Sequence, residues 1–79
     1  GYARYLRAEL DSNGSVRVYR VNYDGSETIV TSEAKLIVLE GNVTLKNGKL
    51  TGSGTVAFSY TAKVGNYTYE ICSMAIKTN

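Results

Sequence analysis

Four two-residue signals cut the chain into extended runs: Asn13-Gly14, Asp24-Gly25, Asn47-Gly48 and Gly65-Asn66. Each suits a hairpin loop whose central residues need positive φ, a conformation that glycine and asparagine adopt at least cost. A tight turn also fixes which residues face each other. A slip by one residue would carry every apolar side chain to the opposite face. The turns therefore imply both a sheet and its registers.

Asn47-Gly48 sets Lys46 opposite Lys49, Leu45 opposite Leu50 and Val43 opposite Gly52. Continued without interruption, it sets Leu39 opposite Val56, Ile37 opposite Phe58 and Lys35 opposite Tyr60. Gly41, Gly52 and Gly54 fall near the middle, where glycines in a strand interior predict a kink or bulge. Gly65-Asn66 sets Val64 opposite Tyr67, Ala62 opposite Tyr69, Tyr60 opposite Ile71 and Val56 opposite Ala75. Both readings put the same face of residues 56–64 inside, with Leu39, Val56, Phe58, Tyr60 and Ile71 as the expected core. Asn13-Gly14 sets Leu10 opposite Arg17, Ala8 opposite Tyr19, Arg7 opposite Arg20 and Leu6 opposite Val21. Residues 2–10 also have helical propensity, but about nine residues make a marginal helix alone, so a strand is expected. The predicted fold is all-β, a single domain over residues 1–79. It is a six-stranded antiparallel meander (about 3–10, 16–23, 27–32, 35–46, 49–64 and 66–77) forming a small sandwich or a partly closed barrel.

Composition agrees. Val, Ile, Thr, Tyr and Phe make up 28 of 79 residues, and proline and tryptophan are absent, a balance that fits pleated, half-buried surfaces. No run of about 18 apolar residues exists to span a membrane. The chain begins at Gly1 without methionine, as it would after removal of an upstream segment. A domain this small buries only about 60% of its unfolded surface, and small domains usually add disulfides, a metal or partner subunits. Cys72 is the only cysteine and there is no histidine, so self-association or an unusually well-made sheet is the support left.

The same absences bear on chemistry. Without histidine, no Ser-His or Cys-His nucleophile pair can form, and no enzymatic activity is expected. The stretch Asp11-Ser12-Asn13-Gly14-Ser15 resembles a calcium loop in its opening but puts glycine at the wrong position and Asn22 where the bidentate acid belongs. No catalytic residue, metal site or cofactor is predicted. Cys72 reads as a small apolar packing residue.

Three surface features carry the functional expectation. In the registers above, Leu36, Val38, Cys72, Met74 and Ile76 share the second face of the C-terminal sheet, turned away from Phe58. That stripe needs a covering partner, or else a bulge that swaps faces and returns residues to the core. Asn13, Asn42 and Asn66 each begin an Asn-X-Ser/Thr glycosylation acceptor. All four arginines lie in the first twenty residues, and Tyr5, Arg7 and Arg20 form a candidate β-face for nucleic acid. The leading expectation is a non-enzymatic structural subunit that assembles with copies of itself, extracellular or at a particle surface, through sheet faces or exchanged terminal strands. The alternative is a small module that binds nucleic acid or a protein through the Arg/Tyr face.

Overall fold

The computed structural model describes residues 2–78, all of them strand, turn or irregular chain. Seven strands form: β1 (Ala3–Leu10), β2 (Val16–Asn22), β3 (Glu27–Ile29), β4 (Lys35–Lys46), β5 (Lys49–Val64), β6 (Tyr67–Cys72) and β7 (Ile76–Thr78). They make two antiparallel sheets. One has the order β1-β2-β3; in the other β5 is central, with β4 on one side and β6 and β7 on the other. The expected small all-β sandwich is therefore the fold, with no closed barrel. The helical alternative for residues 2–10 is not taken, since β1 pairs along its length with β2.

The two C-terminal turns deliver their registers. Asn47 and Gly48 both have positive φ (52° and 74°), and Leu45 faces Leu50 across them. Beyond Gly65, Val64 faces Tyr67 and Tyr60 faces Ile71.

Four registers differ from expectation by one residue. Across Asp24-Gly25 the loop has three residues in place of two, with Asn22 N–H on the Ser26 carbonyl, so Val21 faces Glu27. The other three each have an identifiable reason. In β4 an irregularity between Val38 and Glu40 makes Leu39 an extra residue, so Val38 faces Val56, Leu36 faces Phe58 and Lys35 faces Ser59. An uninterrupted strand would have turned Lys35 toward the apolar interior, where an unpaired ammonium is costly. The extra residue puts Leu36 and Val38 in phase with Val43 and Leu45. On the far side of β5, Phe58 N–H donates to Ser73 Oγ (2.9 Å) and Ser73 N–H to the Phe58 carbonyl (2.8 Å). The chain then breaks over residues 73–75 before Ile76, not Ala75, pairs with Val56. This break divides the expected sixth strand in two. In the N-terminal hairpin, Asp11 Oδ1 accepts from the N–H groups of Asn13 and Ser15 (2.9 and 3.0 Å). The turn consequently spans five residues. Leu10 faces Val16, Ala8 faces Val18, Arg7 faces Tyr19 and Leu6 faces Arg20, which keeps Arg17 out of the interior.

One core joins the sheets. Leu6, Val16, Val18 and Val30 from the N-terminal half meet Val43, Leu50, Val56 and Phe58 from the C-terminal half. Phe58, Val18 and Val56 are fully buried, and each such side chain contributes on the order of 1.5–3 kcal/mol. Tyr60 and Ile71 pack on this core only partly buried, and Leu39, expected inside, is 56% exposed in its bulge. Two sets of backbone bonds tie the sheets at separate places. Val16 N–H donates to the Gly48 carbonyl and Leu50 N–H to the Gly14 carbonyl (both 2.8 Å), while Ala3 N–H donates to the Tyr69 hydroxyl (3.0 Å).

A straight strand of β5's length would run about 50 Å at ~3.3 Å per residue. The molecule measures only 37 × 20 × 20 Å, so β5 bends. The three glycines expected to kink the pair come together, Gly41 facing Gly54 and Gly52 facing Val43, and the backbone leaves extended geometry at Gly41 and Gly52 (φ 84° and 98°). At Gly52 (φ 98°) a Cβ would collide with the Asn42 carbonyl oxygen.

Candidate functional site

The Arg/Tyr face expected from Tyr5, Arg7 and Arg20 does not exist as one surface. Arg7 lies over the Tyr19 ring, 4.4 Å from its centroid. Its Nη2 donates to Glu27 Oε1 (2.8 Å) and its Nη1 to Glu9, which also accepts from Arg17 (3.2 Å). Hydrogen bonds from Arg7 and then Arg17 hold the Glu9 carboxyl below its usual range, and those from Arg7 to Glu27 and Glu9 raise the Arg7 guanidinium further. The cluster is a closed arrangement of ion pairs on the outer face of the N-terminal sheet. Arg20, in row with Leu6, belongs to the other face. It donates to Asn22 Oδ1 (2.9 Å) and to the Tyr60 hydroxyl (3.4 Å). The one-residue shift in the first hairpin separates the two arginines, and both are already engaged within the chain.

The expected stripe is rearranged by the two irregularities beside β5. Leu36 and Ile76 pack against the chain's own core, the outcome that a face-swapping bulge predicts. Val38 shares a row with the buried Val56, yet stays 43% exposed at the sheet margin. The outer face instead carries Ile37 in row with Ala57, and Cys72 in row with Ser59. Met74, in the break between β6 and β7, is 86% exposed. Cys72 is exposed, not buried as its type suggested. Exposed Leu39, with half-buried Ile37 near it, thus lies on β4, whose outer edge has no neighbouring strand among the described residues, and exposed Cys72 and Met74 lie on the opposite side of β5.

A second exposed cluster was not visible from the sequence. Its tyrosines come from three separate segments, and the two pairs, Tyr2 with Tyr23 and Tyr67 with Tyr69, join only when the sheets pack. Tyr23 N–H donates to the Tyr2 carbonyl (3.1 Å), which sets their rings edge to face with centroids 6.4 Å apart. Tyr2 continues to Tyr69 (6.5 Å), and Tyr69 stacks on Tyr67 (5.6 Å, 26° between planes). Arg4 lies over both Tyr5 and Tyr23, at 5.8 and 5.9 Å. Tyr23 is 70% exposed, Tyr67 64% and Tyr2 53%.

Among the described residues, no group of three or more His, Cys, Asp or Glu is placed to hold a metal ion. The concavities are open grooves. One runs along Leu10, Asp11, Lys49, Leu50 and Thr78, another along Glu33, Lys35, Ser59 and Tyr60. Among the described residues, no helix is long and apolar enough to cross a membrane. Known protein families, curated protein sequences and solved structures yield no match to this chain. The three glycosylation acceptors are all exposed: Asn13 and Asn66 in turns, and Asn42 on edge strand β4, opposite Ser53.

Proposed function

We propose that this protein is a non-enzymatic structural subunit that assembles with copies of itself through the outer face and open edge of its C-terminal sheet. The observation that carries the reading is the exposure of apolar side chains where both neighbours of β5 lose regularity: Val38 and Leu39 on one side and Met74 on the other, at 43%, 56% and 86%. Large exposed apolar side chains together with an uncovered sheet edge are what a soluble monomer avoids. A second copy could cover these side chains by packing a sheet face on them, or by adding a strand along β4. An extracellular or particle-surface setting accords with three exposed acceptor asparagines.

The test compares Leu39→Lys/Met74→Lys with a control charge, Ser12→Lys, in the exposed N-terminal turn. Both altered side chains already face solvent, so folding should be retained by circular dichroism. Sedimentation across a concentration series should show assembly for the parent and for Ser12→Lys, and monomers for the double variant. A parent that stays monomeric at every concentration, or a double variant that assembles as the parent does, removes these side chains from the mechanism.

A further inference from the structure

The tyrosine cluster has no part in that assembly surface, and its chemistry is different. Arg7 and Arg17 are in ion pairs, and Arg20 is bonded to Asn22 and Tyr60. Arg4 alone of the four arginines has neither a side-chain hydrogen bond nor an ion pair among the described residues. It is nevertheless held in place, between the rings of Tyr5 and Tyr23. A guanidinium offers a planar fork suited to a carboxylate. Next to it runs the row Tyr23, Tyr2, Tyr69, Tyr67, with rings 5.6–6.5 Å apart. The row is anchored at its centre, where the Tyr69 hydroxyl accepts the Ala3 N–H. The rings are therefore preorganised, which lowers the ordering cost of binding.

We infer that this surface binds an oligosaccharide bearing one acidic sugar, with Arg4 on the carboxylate and the tyrosine rings against the sugar faces. Tyr23, Tyr67 and Tyr2 are all largely exposed, so the surface is open. Small molecules prefer concave sites that bury most of their area, whereas an extended chain can cover several rings at once. Single-stranded nucleic acid also stacks on aromatic side chains, but it needs a positively charged groove that tracks its phosphates. Among the described residues one arginine without an ion pair, Arg4, lies over Tyr23 at the end of the row, a balance that suits a single negative charge. Sugars present apolar C–H faces and hydroxyl rims together, and tyrosine offers the matching pair, an apolar ring with a polar tip.

The experiment titrates the intact chain with sialyllactose, with neutral lactose and with an oligothymidylate, following tyrosine resonances by NMR. Sialyllactose should bind at least tenfold more tightly than lactose and should shift Tyr2, Tyr23 and Tyr67. Tyr67→Ala, which removes an exposed ring, should weaken sialyllactose at least tenfold. Arg4→Gln should abolish the preference over lactose while leaving the remaining lactose shifts in place. Equal binding of the two sugars, no shift with either at millimolar concentration, or tighter and steeply salt-dependent binding of the oligothymidylate would each overturn the proposal. So would conversion of an assembled parent to monomers by Tyr67→Ala, because the rings would then be an interface between copies.

Discussion

Phe58 is the residue on which both halves of the molecule converge. It is fully buried, lies in row with Leu36, and has both of its backbone groups taken by Ser73. Truncation to alanine should cost about 3–5 kcal/mol, a large share of the roughly 0.05–0.15 kcal/mol per residue that domains hold in total. Denaturant melts of Phe58→Ala would measure this, and a variant that melts with the parent would contradict the assigned core. Glu9 acts at the other extreme, in the open. Its folded pKa lies below its unfolded value because Arg7 and Arg17 donate to it. The stability it contributes is therefore complete above the ordinary carboxylate range and is lost as pH falls through the lowered value. Asp24 has the same sign, through the hydroxyl and N–H of Ser26. Melting temperature should accordingly fall below about pH 4, and Glu9→Gln should make that acid limb shallower without moving the neutral-pH plateau far, since exposed ion pairs are worth little.

At the level of strands, what could be read in advance depended on whether a residue type marks the event. Asn47-Gly48 and Gly65-Asn66 mark their turns by needing positive φ, and the pairs beside them follow. Gly41, Gly52 and Gly54 mark the bend for the same reason. Leu39 marks nothing, because a bulge residue of ordinary conformation has no required side chain. The sole hint lay in its consequence, Lys35 turned inward. Ser73 and Asp11 act through side-chain bonds to backbone groups of neighbouring residues or strands, which a pairing rule based on turn length does not contain. The tyrosine row was further out of reach, since the Tyr2–Tyr23 pair of the first hairpin meets Tyr69 and Tyr67 only through packing of one sheet on the other. The glycines offer a graded test of this account. Gly48→Ala meets no atom within 4 Å and should cost about 1–2 kcal/mol from its left-handed backbone alone. Gly52→Ala adds a collision with the Asn42 carbonyl to the same strain, and should destabilise clearly more in parallel urea melts. Equal losses would mean the strands are not so close at the bend.

As a whole molecule, two sheets share one core and are bonded together at Gly14–Val16 against Gly48–Leu50 and at Ala3 against Tyr69. They should consequently unfold together. Far-ultraviolet circular dichroism and tyrosine fluorescence should report the same midpoint in urea, and separate midpoints would show that one sheet survives the other. The position of β5 has a consequence for how the chain is made. It pairs with β4, β6 and β7 and receives the Ser15 bridge, so every contact of the second sheet waits for residues 49–64. During synthesis the first three strands leave the ribosome with Leu6, Val16 and Val18 lacking the Val43, Leu50, Val56 and Phe58 that complete their core. A lasting structure is open to these strands only once residues 49–64 have followed, and collapse then comes late and nearly all at once.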